Sequence, residues 1–251
     1  MYVSGAYKLV LEYRDFHAFG ARLPNLPELR SITPARRDFP TQVWVHRVNS
    51  IERAVLMAKT YRGMEIDVVY DSTGDFFDVN HPPARSRGIS LDAVLSSVPD
   101  VAAHYFWIDF KNLTDFNEQP ACRRLTAIAW KHGIVHHMVV ESNNPRALSC
   151  FTSSGFYTSY YLPIVDLWKL NPQQLVDYYE EVASDLKAAT VNAISSDYKS
   201  LPFMQKYFPG ADILVWYLKD RSLRYYAALA YLRSRDQVKI ILVGEEGPGY
   251  R

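Results

Sequence analysis

Seven residues whose types suit catalysis or ion binding occur between positions 46 and 111, most of them in or next to segments that otherwise have the composition of buried strands. These residues are His46, Arg47, Glu65, Asp67, His81, Asp109 and Lys111. A parallel strand covered on both faces is normally an unbroken apolar run, and a buried charge is costly unless a partner neutralises it. Glu65 and Asp67 are two residues apart and therefore point to the same side of a strand. Because converging carboxylates repel each other, the pair predicts a cation between them.

The carboxylates are suited to a metal ion. Hard cations prefer oxygen ligands, so Glu65, Asp67 and Asp109 predict a site for one divalent cation, Mg²⁺ or Ca²⁺. Such an ion would orient a nucleophile and stabilise developing charge. The same charges could instead form an internal ion-pair network with Arg47 and Lys111.

The remaining residues of the set predict cleavage of a phosphodiester. Two histidines can divide the acid and base roles near neutral pH, so His46 and His81 are the expected catalytic pair, with neither assigned to one role. Arg47 would bind phosphate oxygens as a bidentate fork and Lys111 as a point charge.

The elements that must position these residues alternate from residue 42 onward. The eight predicted strands are Gln42–His46, Gly63–Tyr70, Tyr105–Lys111, Val135–Glu141, Phe156–Tyr161, Val191–Ser195, Ile213–Leu218 and Val238–Val243. The seven predicted helices between them are Ile51–Tyr61, Leu91–Val98, Cys122–His132, Pro145–Ser153, Pro172–Ala189, Leu201–Tyr207 and Ser222–Ser234. This alternation predicts parallel βαβ units of the α/β class, and eight strands in this length predict a closed (β/α)₈ TIM barrel. Active sites of such barrels lie at the C-terminal ends of the strands, where the set above is expected to meet.

Two further residues near strand ends have two interpretations each. Glu141 ends the fourth predicted strand and would either contact substrate or cap the next helix. Asn49 would either cap the first helix or contact substrate or metal. Four aromatics around Pro163 would line an apolar lipid or headgroup pocket or be ordinary half-buried loop residues. They are Tyr157, Tyr160, Tyr161 and Trp168.

Residues 1–41 are predicted to be an N-terminal extension, and residues 42–251 the barrel. A short helix is expected over Lys8–Phe19, ending at Gly20, followed by an irregular proline-punctuated segment. We expect the extension to pack over the bottom of the barrel; a tether to a membrane or another domain is the alternative. Few residues follow the last strand, so the usual eighth helix is expected to be missing or cut off, and the extension would cover that gap.

Composition limits the function classes. The 251 residues suit one large domain or two small ones, and a net charge of +1 gives no reason to expect nucleic-acid binding. No apolar run reaches the roughly 20 residues that span a bilayer, and no signal-peptide pattern is visible. The compartment stays open between the cytoplasm and export after removal of an N-terminal segment, and peripheral membrane contact is compatible with the sequence. Cys122 and Cys150 are expected to be two ordinary thiols, and His136 and His137 are expected to be structural residues within the fourth strand.

The motif order resembles the glycerophosphodiester phosphodiesterase-type barrels of the wider phosphatidylinositol-phospholipase-C-like superfamily. Those proteins begin with a His-Arg strand end, continue with a Glu-x-Asp strand and place a second histidine in the following excursion. The matching residues here are His46-Arg47, Glu65-Ile66-Asp67 and His81. Residues 89–95 are similar to the helix that follows in the family, and Trp216 is similar to an aromatic residue of its seventh strand, which would form a wall of the site. The resemblance spans roughly residues 42–244.

Three features fit other branches of the superfamily better. Asp109 stands where glycerophosphodiesterases usually carry Glu, and Pro82-Pro83 follows the second histidine where they usually show His-Asp. The pattern from His46 to Asn49 resembles the His-x-x-Asn of spider-type sphingomyelinase D and of menorin-like proteins. The Asp-x-Lys strand and the His-Pro-Pro sequence resemble menorin-like proteins most.

The resemblance implies a phosphoric diester hydrolase that acts on a small-molecule or lipid phosphodiester, with a cyclic phosphate as product or intermediate when a substrate hydroxyl attacks. Glu141 and Trp216 would then join Arg47 and Lys111 in binding substrate. Two alternatives remain. One is a non-catalytic barrel that binds phosphate or has a structural role, and the other is a glycoside hydrolase that uses Asp109 and Glu141.

Overall fold

The computed structural model describes residues 14–30, 32, 37–217 and 223–245. The strands are β1 (Val43–Val45), β2 (Gly63–Asp71), β3 (Phe76–Val79), β4 (Tyr105–Phe110), β5 (Met138–Ser142), β6 (Tyr157–Tyr161), β7 (Ala193–Asp197), β8 (Asp212–Tyr217) and β9 (Val238–Val243). The helices are α1 (residues 14–22), α2 (Ile51–Met57), α3 (Leu91–Ser97), α4 (Glu118–His132), α5 (Ser149–Ser153), α6 (Pro172–Lys187), α7 (Leu201–Tyr207) and α8 (Leu223–Arg233). Within these ranges, no helix combines the length and apolar character that a membrane crossing requires. Parts of the predicted elements, residues 8–13, 218 and 222, and the end of the chain from 246 fall outside the described residues.

Eight of the strands close into a parallel barrel. Their order is β1, β9, β8, β7, β6, β5, β4 and β2, and pairing of β1 with β2 closes the ring. This confirms the predicted (β/α)₈ TIM barrel. The interior is filled by one apolar cluster to which most strands contribute, and a larger cluster lies between the strands and the surrounding helices. Side-chain caps begin the helices as their sequences predict: Ser50 caps α2, Ser90 caps α3, and Asn171 forms a capping box with Gln174 at α6.

A hairpin that the sequence analysis missed extends from the mouth of the barrel. β2 is nine residues long and pairs with β3 in antiparallel register, Val68 opposite Val79 and Asp71 opposite Phe76. β3 was expected to be part of a loop. Because an antiparallel strand returns along its neighbour, the chain after β3 comes back to the barrel mouth, where Asn80 N–H donates to the Asp67 carbonyl (3.1 Å).

The N-terminal segment packs along the side of the barrel at α1 and reaches the bottom, where it was expected to pack, near Phe39. In α1, Phe16 stacks on Tyr231 of α8 and Phe19 stacks on Trp168 of the loop after β6, both with ring centroids 5.1 Å apart. Only near Phe39 does the chain reach the interior cluster at the bottom, where this ring packs edge-on against those of Trp44 and Tyr157. The division of the chain at residue 41 stays a prediction.

The two cysteines were expected to be ordinary thiols, and this was wrong. They form a disulfide between α4 and α5. Cys122 and Cys150 are 28 residues apart in sequence, yet their Cα atoms lie 6.2 Å apart, a separation that a disulfide accommodates. α4 and α5 precede and follow β5, and their contact brings the two residues together. Sequence spacing alone does not reveal this.

Two predicted boundaries were also wrong. α1 continues through Gly20 to residue 22, since a glycine inside a helix costs only about 1 kcal/mol. The segment Val135–His137 is a 3₁₀ turn that precedes β5, and His137 stacks on Tyr105 of β4 (centroids 4.4 Å apart).

We expect Gly63→Ala to destabilise the fold by about 1–3 kcal/mol through overpacking. A Cβ at this position would lie 2.1 Å from the indole ring of Trp44, which is fully buried. Gly210→Ala is the matched control, because its nearest neighbour would be the Ile32 carbonyl oxygen at 3.9 Å. Urea unfolding followed by tryptophan fluorescence measures both, and equal stability of the two variants would contradict the prediction.

Candidate active site

His46 and Arg47 directly follow β1, in a loop that is fixed on both sides. The His46 N–H donates to the carbonyl of Val243 on β9 (3.0 Å), and the Val48 N–H donates to the carbonyl of Glu65 on β2 (2.7 Å). Between them Arg47 has a φ of 57°, in the left-handed region that bulky residues rarely adopt. This turn aims the Arg47 N–H at the Glu65 carboxylate, with 2.5 Å between N and Oε2.

The three predicted metal ligands converge because β2 and β4 pair in register. Asp67 lies directly opposite Asp109, and Glu65 lies opposite Trp107. Glu65 and Asp67 are almost completely buried, and one oxygen from each carboxylate lies within 4.8 Å of the others. Oε1 of Glu65 is buried without a hydrogen-bond partner in the described part of the chain. The three carboxylates could therefore hold one hard cation.

Lys111 neutralises part of this charge. Its Nζ lies 2.8 Å from Oδ1 of Asp67 and forms a closer ion pair with Asp109. The internal ion pairs that the sequence left open as an alternative are thus present, but those that Lys111 forms involve two of the three carboxylates. The Glu65 carboxylate instead accepts the backbone N–H of Arg47.

Asn49 holds Asp67 in place and does not cap the first helix, since that role belongs to Ser50. Its Nδ2 donates to Oδ2 of Asp67 (2.6 Å), and its Oδ1 accepts from the Asp67 N–H (3.0 Å). Both ends of one side-chain amide are therefore used on one residue of β2. This makes Asn49 a positioning residue for the central carboxylate.

Arg53 of α2 is a positioning residue that the sequence analysis missed. It is completely buried, and its guanidinium donates to three backbone carbonyls: His46 (3.3 Å), Arg47 (2.8 Å) and Glu245 (2.7 Å). It therefore joins the loop after β1 to the segment after β9. A signal existed, because Arg53 shares the inward face of α2 with Ala54 and Met57, and an arginine there needs buried acceptors.

The two histidines lie on either side of the carboxylates. His46 Nε2 is 3.7 Å from Oε2 of Glu65, and His81 Nε2 is 4.0 Å from Oδ1 of Asp67. His81 Nε2 also lies 3.4 Å from Nη2 of Arg47. The His46 side chain is 12% exposed and that of His81 is 37% exposed. One imidazole is thus enclosed by the protein while the other is open to solvent.

Burial dominates the electrostatics of the site. It raises the pKa of Glu65 well above its usual range, and the charges of Asp67 and Asp109 add to this; it also raises the pKa of Asp109. Burial lowers the pKa of His46 to about 3, with Asp67 opposing and the nearby cations reinforcing the shift. Burial alone would lower the pKa of Lys111, but Asp109, Asp67 and Glu65 outweigh it and raise that pKa. Burial is thus the first cause of the shifts at Glu65, Asp109 and His46, whereas the carboxylates prevail at Lys111.

Glu141 and Trp216 lie beside this cluster. Glu141 of β5 is opposite Asp109 in the sheet, is buried, and accepts a hydrogen bond from the Ser195 hydroxyl. Burial, followed by the charge of Asp109, raises its pKa well above the usual range. Trp216 of β8 packs edge-to-face on Tyr161, with centroids 4.9 Å apart. Their roles in substrate binding stay predictions.

Solved structures share this architecture. A glycerophosphodiester phosphodiesterase from Parabacteroides distasonis aligns with a TM-score of 0.56 and 13% sequence identity, over 83% of this chain and 94% of that chain. A phosphodiesterase from Oleispira antarctica, in complex with the product sn-glycerol-3-phosphate, aligns with a TM-score of 0.53 and 15% identity, over 81% of this chain and 92% of that chain. The barrel has the fold of the glycerophosphodiester phosphodiesterases. No protein-family model matches the sequence, and no curated protein matches it.

Glu65→Gln should raise the free energy of unfolding in EDTA by about 1–3 kcal/mol, because it removes a buried charge that its neighbours repel. Mg²⁺ or Ca²⁺ should stabilise the wild type against urea but not this variant. Glu141→Gln is the control: it should also be stabilising in EDTA, yet keep the cation effect. Stabilisation of Glu65→Gln by the cation would contradict the assignment of Glu65 as a ligand.

Asn49→Ala should weaken Mg²⁺ or Ca²⁺ binding about 10–100-fold, as losses of groups that orient metal ligands typically do. The neighbouring Ser50→Ala removes the cap of α2, at a cost of about 1 kcal/mol in stability, without touching Asp67. Isothermal titration calorimetry of both variants separates positioning from general destabilisation. Equal cation affinity in both would show that Asp67 needs no orientation by Asn49.

Proposed function

We propose that this chain is a metal-dependent phosphodiesterase that cleaves a glycerol- or lipid-type phosphodiester by acid–base catalysis with two histidines. The observation that carries the proposal is the convergence of two histidines and two cationic side chains on three buried carboxylates at the mouth of the barrel. These residues are His46, His81, Arg47, Lys111, Glu65, Asp67 and Asp109. The fold, shared with known phosphodiesterases, supports it.

The donor set fits one divalent cation, Mg²⁺ or Ca²⁺. Glu65, Asp67 and Asp109 offer oxygen ligands alone, as these ions prefer, and the unpartnered Oε1 of Glu65 is an available ligand atom. When bound, the ion supplies positive charge at the phosphate and helps to orient the nucleophile. It would also oppose the rise in the pKa of Glu65 that burial causes and the charges of Asp67 and Asp109 increase.

The histidines would move the protons. A water or a hydroxyl of the substrate attacks phosphorus, one imidazole accepts its proton, and the other donates a proton to the alcohol oxygen as the P–O bond breaks. Both rings lie beside the carboxylates, His46 enclosed by the protein and His81 more open to solvent, and neither is assigned to one role. Arg47, whose Nη2 lies beside the His81 ring, would bind the phosphate oxygens together with Lys111.

One observation favours a second candidate, a barrel that binds phosphate without catalysis. Lys111 already pairs with Asp67 and Asp109, so two of the three carboxylates are compensated by the protein itself. In that case the site would bind its ligand without turnover.

The test is hydrolysis of bis-(p-nitrophenyl) phosphate, glycerophosphocholine and lysophospholipids, each with Mg²⁺, Ca²⁺ and EDTA. We expect turnover that EDTA abolishes, and a loss of about 10²–10⁴-fold in kcat/KM for His46→Ala and for His81→Ala. His136→Ala is the matched control, because this exposed histidine lies in the 3₁₀ turn before β5, at the opposite end of the barrel.

Each other outcome decides against part of the proposal. Cation binding without turnover of any substrate would favour the phosphate-binding barrel. Activity that survives His46→Ala would remove the acid–base assignment of His46. Absence of cation binding would overturn the metal site itself.

A further inference from the structure

A cavity of about 260 Å³ opens at the barrel mouth beside the candidate site. It lies where β6, β7 and β8 end, and the loop between β6 and α6 forms its outer wall. Tyr161, Leu167, Trp168 and Trp216 line it, and Ile164 stands at its rim. The volume is slightly below that of pockets that enclose a drug-sized ligand, so it suits one substituent of a larger molecule.

Tyr161 lies between the cavity and the buried carboxylates of the candidate site. Its ring packs against Trp216 on the cavity side. Burial raises its pKa, and the next contributions to that shift come from Glu141 and Asp109, so the hydroxyl lies within the field of the buried carboxylates. A molecule whose phosphate lay at those carboxylates would therefore extend past Tyr161 into the cavity.

The two acidic residues of the cavity already have partners. Asp166 pairs with Lys169 (3.0 Å), and the Asp197 carboxylate accepts the backbone N–H of Lys199 (2.9 Å). Lys199 also lines the wall and would repel an ammonium headgroup. What the cavity offers is apolar and aromatic surface, which gains free energy by covering hydrocarbon.

The outer wall is held in place before any ligand binds. Trp168 stacks on Phe19 of α1, and its Nε1 donates to the carbonyl of Lys199 (2.8 Å). Arg22 of α1 donates to the carbonyls of Trp168 and Leu170, and the Tyr178 hydroxyl of α6 donates to the Pro163 carbonyl (3.0 Å). Ile164 and Val165 are nevertheless 81% and 40% exposed. Exposed aliphatic side chains at the entrance of a fixed apolar cavity fit an apolar ligand that enters from outside.

We propose that this cavity binds an alkyl or acyl chain carried by one ester arm of the phosphodiester, so that the substrate is amphiphilic. The inference rests on the proposed function and narrows its substrate class. A buried methylene contributes enough to raise kcat/KM about fourfold. Activity should therefore climb with chain length and level off once the cavity is full.

The experiment uses a series of p-nitrophenyl n-alkyl phosphates from methyl to octyl, with kcat/KM measured from p-nitrophenolate release. Wild type should show a rise of about fourfold per methylene, followed by a plateau. Val165→Trp, which narrows the entrance, should lower the hexyl-to-methyl ratio of kcat/KM at least about tenfold. Leu56→Trp is the matched control, because Leu56 on α2 is 39% exposed and does not line the cavity; it should keep the wild-type ratio.

A pair of isosteric substrates tests the chemistry of the bound group. p-Nitrophenyl phosphocholine and its uncharged 3,3-dimethylbutyl analogue differ only in the charge of the headgroup. We expect the neutral compound to be turned over at least as well. A tenfold preference for choline would overturn the apolar assignment, as would a flat chain-length series or equal effects of the two tryptophan variants.

Binding separates this inference from the proposed function. If no diester is hydrolysed, n-alkyl phosphate monoesters can be titrated into wild type and Val165→Trp while tryptophan fluorescence is followed. Affinity that rises with chain length in the wild type and less in the variant would support the cavity assignment although catalysis failed. Absence of a chain-length effect would overturn the cavity assignment regardless of turnover.

Discussion

The fold brings three carboxylates into a space that water barely reaches, and much of the surrounding structure compensates for that. Because Asp67 lies opposite Asp109, and Asp109 opposite Glu141, one row of the barrel carries an acid on each of three neighbouring strands. Parallel strands do not tolerate this charge without partners. Lys111 pairs with two of the carboxylates, and burial, followed by the charges of Asp67 and Asp109, still raises the pKa of Glu65. The three carboxylates Glu65, Asp67 and Asp109 could therefore hold a cation.

Hydrogen bonds fix the positions of the carboxylates and of the loop after β1. Asn49 binds Asp67 with both ends of its amide, and the N–H of Arg47 reaches Glu65 only because Arg47 adopts a positive φ. Arg53 holds this strained residue in place. Its guanidinium donates to the carbonyls of Arg47, His46 and Glu245. Strain of this kind persists where the surroundings over-determine it. The loop after β1 is thus a rigid support for its histidine and arginine.

The sequence predicted the barrel because eight strand-like segments alternate with helical segments, and it predicted the site because charged residues at strand ends are exceptional. The pairing and register of the strands are harder to predict from the sequence, since they depend on contacts between distant segments. β3 was missed although the polar turn of residues 71–75 between two aromatic or β-branched runs is a hairpin signal. The disulfide was missed because the approach of Cys122 to Cys150 follows from helix packing across β5. Asn49 was correctly predicted to lie near the site, but only the structure shows that its side chain hydrogen-bonds Asp67 and does not cap a helix.

The position of the N-terminal segment gives it a part in the site, although it contributes none of the predicted catalytic or metal-binding residues. α1 contacts the barrel through Phe16 and Phe19, and Phe19 packs on Trp168, whose ring is also a wall of the mouth cavity. A surface loop gains conformational entropy when its backbone becomes disordered. The stacking on Phe19 and the Arg22 hydrogen bonds oppose this and keep the wall near one conformation. The chemistry at the carboxylates is set by the strands, whereas the shape of the space next to them is set by a helix that precedes the barrel. If the proposed function holds, variation in that helix would therefore alter which ester arm fits without moving the predicted catalytic and metal-binding residues.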